Sequence, residues 1–408
     1  MNTKSITRSL LFWIVVAIAL GISCSFFFPE WLARIFITFN GLFANFLGFF
    51  VPVLIFALIT PAIAGLGRGA GKWLGITAGI AYSSTVISGL IAWGLSALLY
   101  PWLLGDQSLV TDVDDVDAGG LSPFFEVEIP PPFEVMTALI LAFCIGLAMT
   151  AVKSDTMYKV ATELEGVIMK VVTSFVIPLL PLFIFGIFLN LGMNENMGST
   201  MAEFGKVLAL SVIMTVVLLI VQYLIAGLIA GVNPFKALRN MLPAYFTALG
   251  TSSSAASIPV TLRSTLNNKV DEHVAGFVVP LCATIHLSGS MMKIGLYAFA
   301  VIYMGGLDVP WGLYLGFILL LGIMMIAAPG VPGGAIMAAT GLLASMLGFN
   351  DEMVALMIAA YIVVDSFGTA ANVTGDGAIA LVLNRFASGK IEGHNGAEGK
   401  ELDDATVA

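Results

Sequence analysis

Charge is scarce in this chain. Asp, Glu, Lys and Arg make up 11% of its 408 residues, where a soluble domain carries about a quarter. Cysteine is scarcer still. Cys24, Cys144 and Cys282 lie in apolar segments at unrelated spacings, so neither a disulfide framework nor a cysteine metal motif follows from them. Of the histidines, His273 and His394 fall at or beyond the ends of apolar segments, which leaves His286 alone well inside one. No nucleophile–base pair stands out, which argues against an enzyme. Lys and Arg number 17 against 26 Asp and Glu, a net charge of −9, and no nucleic-acid partner is expected.

Apolar residues fill the space that charge leaves. They make up 59% of the chain, with a mean hydropathy of +0.99. The expected fold is an all-α polytopic membrane protein embedded in a lipid bilayer, at about 20 residues per crossing. Eight crossings are expected, over 7–28, 36–65, 73–104, 133–152, 166–193, 203–231, 272–305 and 351–384. The first apolar stretch has no A-x-A-like site behind it and reads as a retained helix. Acid gathers in two places: an exposed inter-helix loop at 106–129, and a tail after 389 that reads as disordered. Lys4 and Arg8, Arg68 and Lys72, Lys153 and Lys159, Lys236 and Arg239, Arg263 and Lys269, and Arg385 and Lys390 mark alternate connections. Only Arg34 and Lys206 share the side of the acidic loop. The positive-inside rule then places both termini in the cytoplasm.

Two further segments fit no simple span. Residues 244–262, AYFTALGTSSSAASIPVTL, are interrupted by small polar residues and flanked by basic ones. Both ends are therefore cytoplasmic, and the segment must enter the membrane and return. Residues 313–347 are interrupted by APGVPGG, where proline and glycine break a helix. Such backbone is tolerated at membrane depth only when it is buried in protein or lines a cavity. A pair of interrupted apolar segments points to a transporter binding site.

The last span contains DSFGTAANVTGDGA, residues 365–378. At 100° per residue, Asp365, Thr369, Asn372 and Asp376 fall at about 0, 40, −20 and 20°, one narrow polar stripe. Intramembrane ionisable groups usually face a bundle interior or a wet cavity. The two aspartates lie roughly 16 Å apart along a helix, too far for an acid dyad. Two different cationic guests suit them better, an ammonium at one and a metal ion or proton at the other.

Here the chain resembles the dicarboxylate/amino acid:cation symporters, which include the glutamate transporter homologues. SSSAASIPVT resembles the tip of that family's first re-entrant hairpin, PGVPGGAIM the tip of the second, and PLCATIHLSGS its broken seventh helix. DSFGTAANVTGD resembles its eighth-helix pattern Asp-x-x-Arg-Thr-x-x-Asn-x-x-Gly-Asp. The resemblance implies eight transmembrane helices plus two re-entrant helical hairpins. It implies scaffold helices in 1–71 and 133–200 and a transport domain of 72–105 plus 201–388. It also implies an extracellular loop at 106–132, an elevator mechanism, a homotrimer and an inner-membrane location. Asp365 would hold the substrate ammonium, with Thr369, Asn372 and Ser290 beside it. Ser253 and Ser254 would lie near the substrate carboxylate, and Gly330 and Val331 would form the backbone gate. Asp376, the carbonyl of Asn372 and the backbone at Cys282 and His286 would bind the coupling ion, Na+ or H+; no other cofactor is implied.

Several positions depart from the family pattern. Gly368 stands where the acidic amino acid carriers have arginine, and Ser252 also brings none. A buried carboxylate without a partner is costly, so a small neutral amino acid such as serine, threonine or alanine is expected. An acidic amino acid or dicarboxylate is the alternative, and an intramembrane enzyme or receptor a remote one. Leu287, Ser288 and Ala328 remove expected sodium ligands, so the site on Asp376 is the best preserved. His286, Ser290 and Lys293 share one face at about 0, 40 and −20° if the helix is unbroken there. Imidazole titrates near neutrality, so His286 is a candidate proton carrier. Lys293 is a candidate for a fixed cation or for a partner of an aspartate. The structural alternative is a lysine that snorkels to an interface and a histidine in a plain hydrogen bond.

Overall fold

The computed structural model of the protein describes residues 10–66, 71–104, 121–152, 155–193, 197–328 and 333–390. Among the described residues there is no strand. Lipid imposes this, because an open segment in the bilayer must satisfy its own backbone hydrogen bonds. In chain order the helices are α1 (Leu10–Ser25), α2 (Glu30–Leu66), α3 (Gly71–Leu103), α4 (Val135–Val152) and α5 (Asp155–Val171). Then come α6 (Ile177–Gly192), α7 (Met197–Ala230), α8 (Pro234–Asn240), α9 (Leu242–Thr251) and α10 (Ser254–Asn267). The last are α11 (Glu272–Ile285), α12 (Ser288–Met304), α13 (Trp311–Ala327), α14 (Gly334–Leu347) and α15 (Asp351–Ala387).

Among the described residues, 7 stretches are long and apolar enough to cross a bilayer. They correspond to seven of the eight expected crossings. The other, expected over 7–28, is α1, which has 16 residues and spans about 24 Å at 1.5 Å per residue. The fifth crossing begins earlier than expected, because the charged segment of α5 is helical from Asp155. A π-helical turn at Val172–Val176 joins it to α6. Leu98, Trp102, Val152 and Leu228 stay exposed, as a surface that meets lipid requires.

The first interrupted segment is a helix–turn–helix unit, and the second contains two helices that pack together. In the first, Ser252 adopts a left-handed φ of 49° and closes α9. Ser253 then caps α10, its hydroxyl accepting from the Ala256 N–H at 3.3 Å, and α9 and α10 pack together. In the second, α13 and α14 pack together. Ala328 is extended, and Gly333 opens α14 at a φ of 75° that favours glycine. The tip, with Gly330 and Val331, lies outside the described residues, as do most of the acidic loop and the tail.

Helix α15 is central: α7, α9, α10, α11, α12 and α14 all pack on it. Helix α12 also packs on α3, while α1 packs on α6, and α2 on α4, α5 and α6. At the N-terminal end of α2, Arg34 donates to the Ser122 carbonyl at 3.0 Å and lies 4.5 Å from the Phe124 ring centre. Arg34 therefore does sit at the same end as the loop that follows residue 120.

One expectation is corrected. The seventh crossing is broken between α11 and α12, where His286 is extended and Leu287 has φ −118° and ψ 45°. His286 therefore does not share a helical face with Ser290 and Lys293. The break persists because α12 starts anew with free N–H groups, and a side chain from α15 accepts them.

Candidate functional site

Asp365, Thr369, Asn372 and Asp376 are all buried along one face of α15. The α11–α12 break and the start of α14 cover that face. Asp365 lies at one end. Its Oδ2 accepts from the Gly333 N–H at 2.8 Å, so the residue that opens α14 touches the carboxylate. The Thr369 hydroxyl donates back to the Asp365 carbonyl at 3.1 Å. The Tyr361 hydroxyl lies close to Asp365 and Ser290 without a well-formed hydrogen bond to either.

Lys293 enters this end from α12 and is fully buried. Its ammonium donates to the Val364 carbonyl and lies 5.6 Å from the Phe367 ring centre. Snorkelling to an interface is excluded. A Cβ at Gly368 would lie 3.3 Å from Lys293 Nζ and 3.5 Å from Ser290 Oγ. The position that lacks a cationic side chain of its own therefore has an ammonium beside it.

In the middle, Asn372 stitches α15 to the start of α12. Its Oδ1 accepts from the N–H groups of Gly289 at 2.8 Å and Ser290 at 3.3 Å, and its Nδ2 donates to Ser290 Oγ at 3.0 Å. This works as a helix cap supplied from another helix.

Asp376 lies at the other end. Its Oδ1 is 2.9 Å from His286 Nδ1, with both side chains buried. His286 Nε2 is 3.0 Å from Ser84 Oγ. Gln222 Nε2 donates to Ser84 Oγ at 3.2 Å and to Ser288 Oγ at 3.0 Å, and Ser88 Oγ donates to the Ser288 carbonyl at 2.8 Å. The chain of donors runs Gln222, Ser84, His286, Asp376 when imidazole carries its proton on Nδ1. Among the described residues, Asp376 Oδ2, Gln222 Oε1 and Thr374 Oγ1 are buried without a hydrogen-bond partner. A hard cation takes oxygen ligands, and Asp376 Oδ2 is the carboxylate oxygen left to supply one. No cluster of three or more His, Cys, Asp or Glu is placed to hold a metal ion among the described residues.

The sequence-predicted residues divide by place. Asp365, Gly368, Thr369, Asn372, Asp376, His286, Ser288, Ser290 and Lys293 come together between α12 and α15. Cys282 is buried one turn before the break, and its carbonyl accepts from the His286 N–H at 2.9 Å. Ser253 and Ser254 open α10, which packs on α15. Ser84, Ser88, Gln222 and Tyr361 were missed. Gln222 was findable, as the one carboxamide inside the apolar run of α7.

A model of the sodium:dicarboxylate symporter family matches residues 10–386. The chain belongs to that family. It is thus a multi-pass membrane protein of a symporter family, whose name implies a coupling ion such as sodium. It is not an enzyme. The serine/threonine transporter SstT of Enterococcus faecalis is 25% identical over 386 residues, 90% of this chain and 89% of that protein. Excitatory amino acid transporter 1 of Ambystoma tigrinum is 30% identical over 171 residues, 42% of this chain and 31% of that protein. Excitatory amino acid transporter 3 of Homo sapiens is 32% identical over 161 residues, 39% of this chain and 30% of that protein. The match to the excitatory transporters therefore spans less than a third of their length.

Proposed function

We propose that this symporter-family protein is a secondary-active carrier that moves a small amino acid together with sodium or a proton. Asp365 holds the substrate ammonium, and Thr369, Asn372 and Ser290 line the same site. Ser253 and Ser254 serve the substrate carboxylate at the start of α10, where helix N–H groups favour an anion. Asp376 serves the coupling cation, with the carbonyls of Asn372, Cys282 and His286. The observation that carries this reading is the hydrogen bond from Gly333 to Asp365 Oδ2 at 2.8 Å. It links the carboxylate that would hold the substrate ammonium to the segment that would gate it through Gly330 and Val331.

The movement is of the elevator type. Helices α3 and α7–α15 travel as the transport domain, and α1, α2 and α4–α6 stay as the scaffold of a homotrimer. The protein sits in the inner membrane with both termini in the cytoplasm. Gly368 and the nearly full-length likeness to a serine/threonine transporter support a neutral substrate. A second reading, an acidic amino acid or dicarboxylate, is favoured by the ammonium of Lys293 beside Gly368.

Uptake into proteoliposomes tests the assignment. Asp365→Ala should abolish gradient-driven accumulation, and retained accumulation would remove Asp365 from its role.

A further inference from the structure

Lys293 is the only buried lysine among the described residues. An ammonium carries three N–H donors, and here one of them goes to the Val364 carbonyl. Among the described residues there is no second hydrogen bond and no carboxylate within 4.0 Å of this ammonium. Asp365 is its electrostatic neighbour, yet Asp365 Oδ2 is held by Gly333 instead. A buried cation with unused donors is costly unless something anionic answers it. Among the described residues, Asp365 is the acid that acts on this ammonium, and it makes no direct contact with it.

The geometry shows where such a group would go. Lys293 Nζ and Ser290 Oγ flank one point above the Gly368 Cα, at 3.3 Å and 3.5 Å from a Cβ placed there. Along α15 that point lies between Asp365 and Asn372, beside the polar stripe and about 60° round from Asp365. Because residue 368 is glycine, no side chain of α15 fills it.

Resting on the reading of this stripe as an amino-acid site, we infer that Lys293 is a specificity-determining residue whose ammonium receives a second carboxylate of the substrate. The cargo is then an acidic amino acid. Its charges match the site one for one: ammonium to Asp365, side-chain carboxylate to Lys293, and main carboxylate to the start of α10. A neutral amino acid would leave the two open donors of Lys293 without an acceptor.

The test compares L-aspartate and L-serine binding to the purified full chain by calorimetry. Wild type should prefer aspartate. Lys293→Met should lose aspartate affinity by roughly thirtyfold or more, the low end for removing one partner of a buried charge pair, with serine affinity little changed. Lys293→Arg should keep the preference. Lys293→Ala with Gly368→Arg, which brings the cation from α15 instead, should restore it. An unchanged aspartate-to-serine ratio in Lys293→Met overturns the inference. Wild type that binds serine and not aspartate overturns it too while leaving the carrier reading intact, and needs no variant to fold. Wild type that binds neither removes the amino-acid reading and the inference together.

Discussion

Asp376 has one hydrogen-bond partner among the described residues, His286, and both side chains are buried. His286→Ala would therefore leave a buried carboxylate with neither oxygen answered. Leaving a buried charge without its partner costs about 3–5 kcal/mol, and that is the expected loss of stability. Asp376→Asn should cost far less, about 1 kcal/mol, because the carboxamide oxygen still accepts from imidazole and no charge is stranded. The double variant His286→Ala, Asp376→Asn should then fall short of the summed costs by about 1–3 kcal/mol, the range for residues in direct contact. Denaturant unfolding in detergent, read by near-ultraviolet circular dichroism, gives all three values. Sodium adds a link to function. If Asp376 serves the cation, sodium at a hundredfold over its dissociation constant should return about 2.7 kcal/mol to His286→Ala, and choline should return none. A cost under about 1 kcal/mol for His286→Ala, or full additivity, would refute the idea that imidazole holds this carboxylate in place.

Gly375→Ala should destabilise the same end by about 1–3 kcal/mol through overpacking. The added Cβ would meet Gln222 Oε1 and His286 Cε1, each at 2.8 Å, and an unchanged unfolding midpoint would show that the network yields freely. Gly333→Pro removes the N–H that Asp365 Oδ2 accepts and forbids the φ of 75°. Uptake should be lost with helical content unchanged, and wild-type uptake would show that this contact is dispensable.

The polar stripe of α15 was legible because four polar residues at helical spacing stand out against Ala, Val and Gly. The two pairs of short helices were legible because serine, proline and glycine runs interrupt apolar sequence. The break at His286 and Leu287 was harder to place. Neither residue breaks a helix locally, and the break depends on Asn372 capping α12 from 82 and 83 residues away. The early start of α5 escaped because its charges read as a connection, although a charged amphipathic helix fits them as well. Ser84 and Gln222 could not be paired from sequence, since their hydrogen bond joins residues 138 apart. The fate of Lys293 turned on burial alone, which periodicity does not report.

The two aspartates of α15 are answered in reverse order along the opposite strand of helix. Asp376 meets His286 at the break, and Asp365 lies near Lys293 seven residues later. This antiparallel order follows from α12 packing against α15. It gives each carboxylate a basic neighbour from one short segment, at ends about 16 Å apart along α15. The two ends are not equivalent. At Asp376 the base is in direct contact and one carboxylate oxygen is open, which suits a small cation that joins an existing pair. At Asp365 the base stands off and its donors are open, which suits a larger ligand that fits between the two charges. Moving an uncompensated charge through a bilayer is costly. A site whose acids already have basic neighbours lowers that cost for an empty carrier, so the four residues proposed to serve substrate and cation would also bear on the return step.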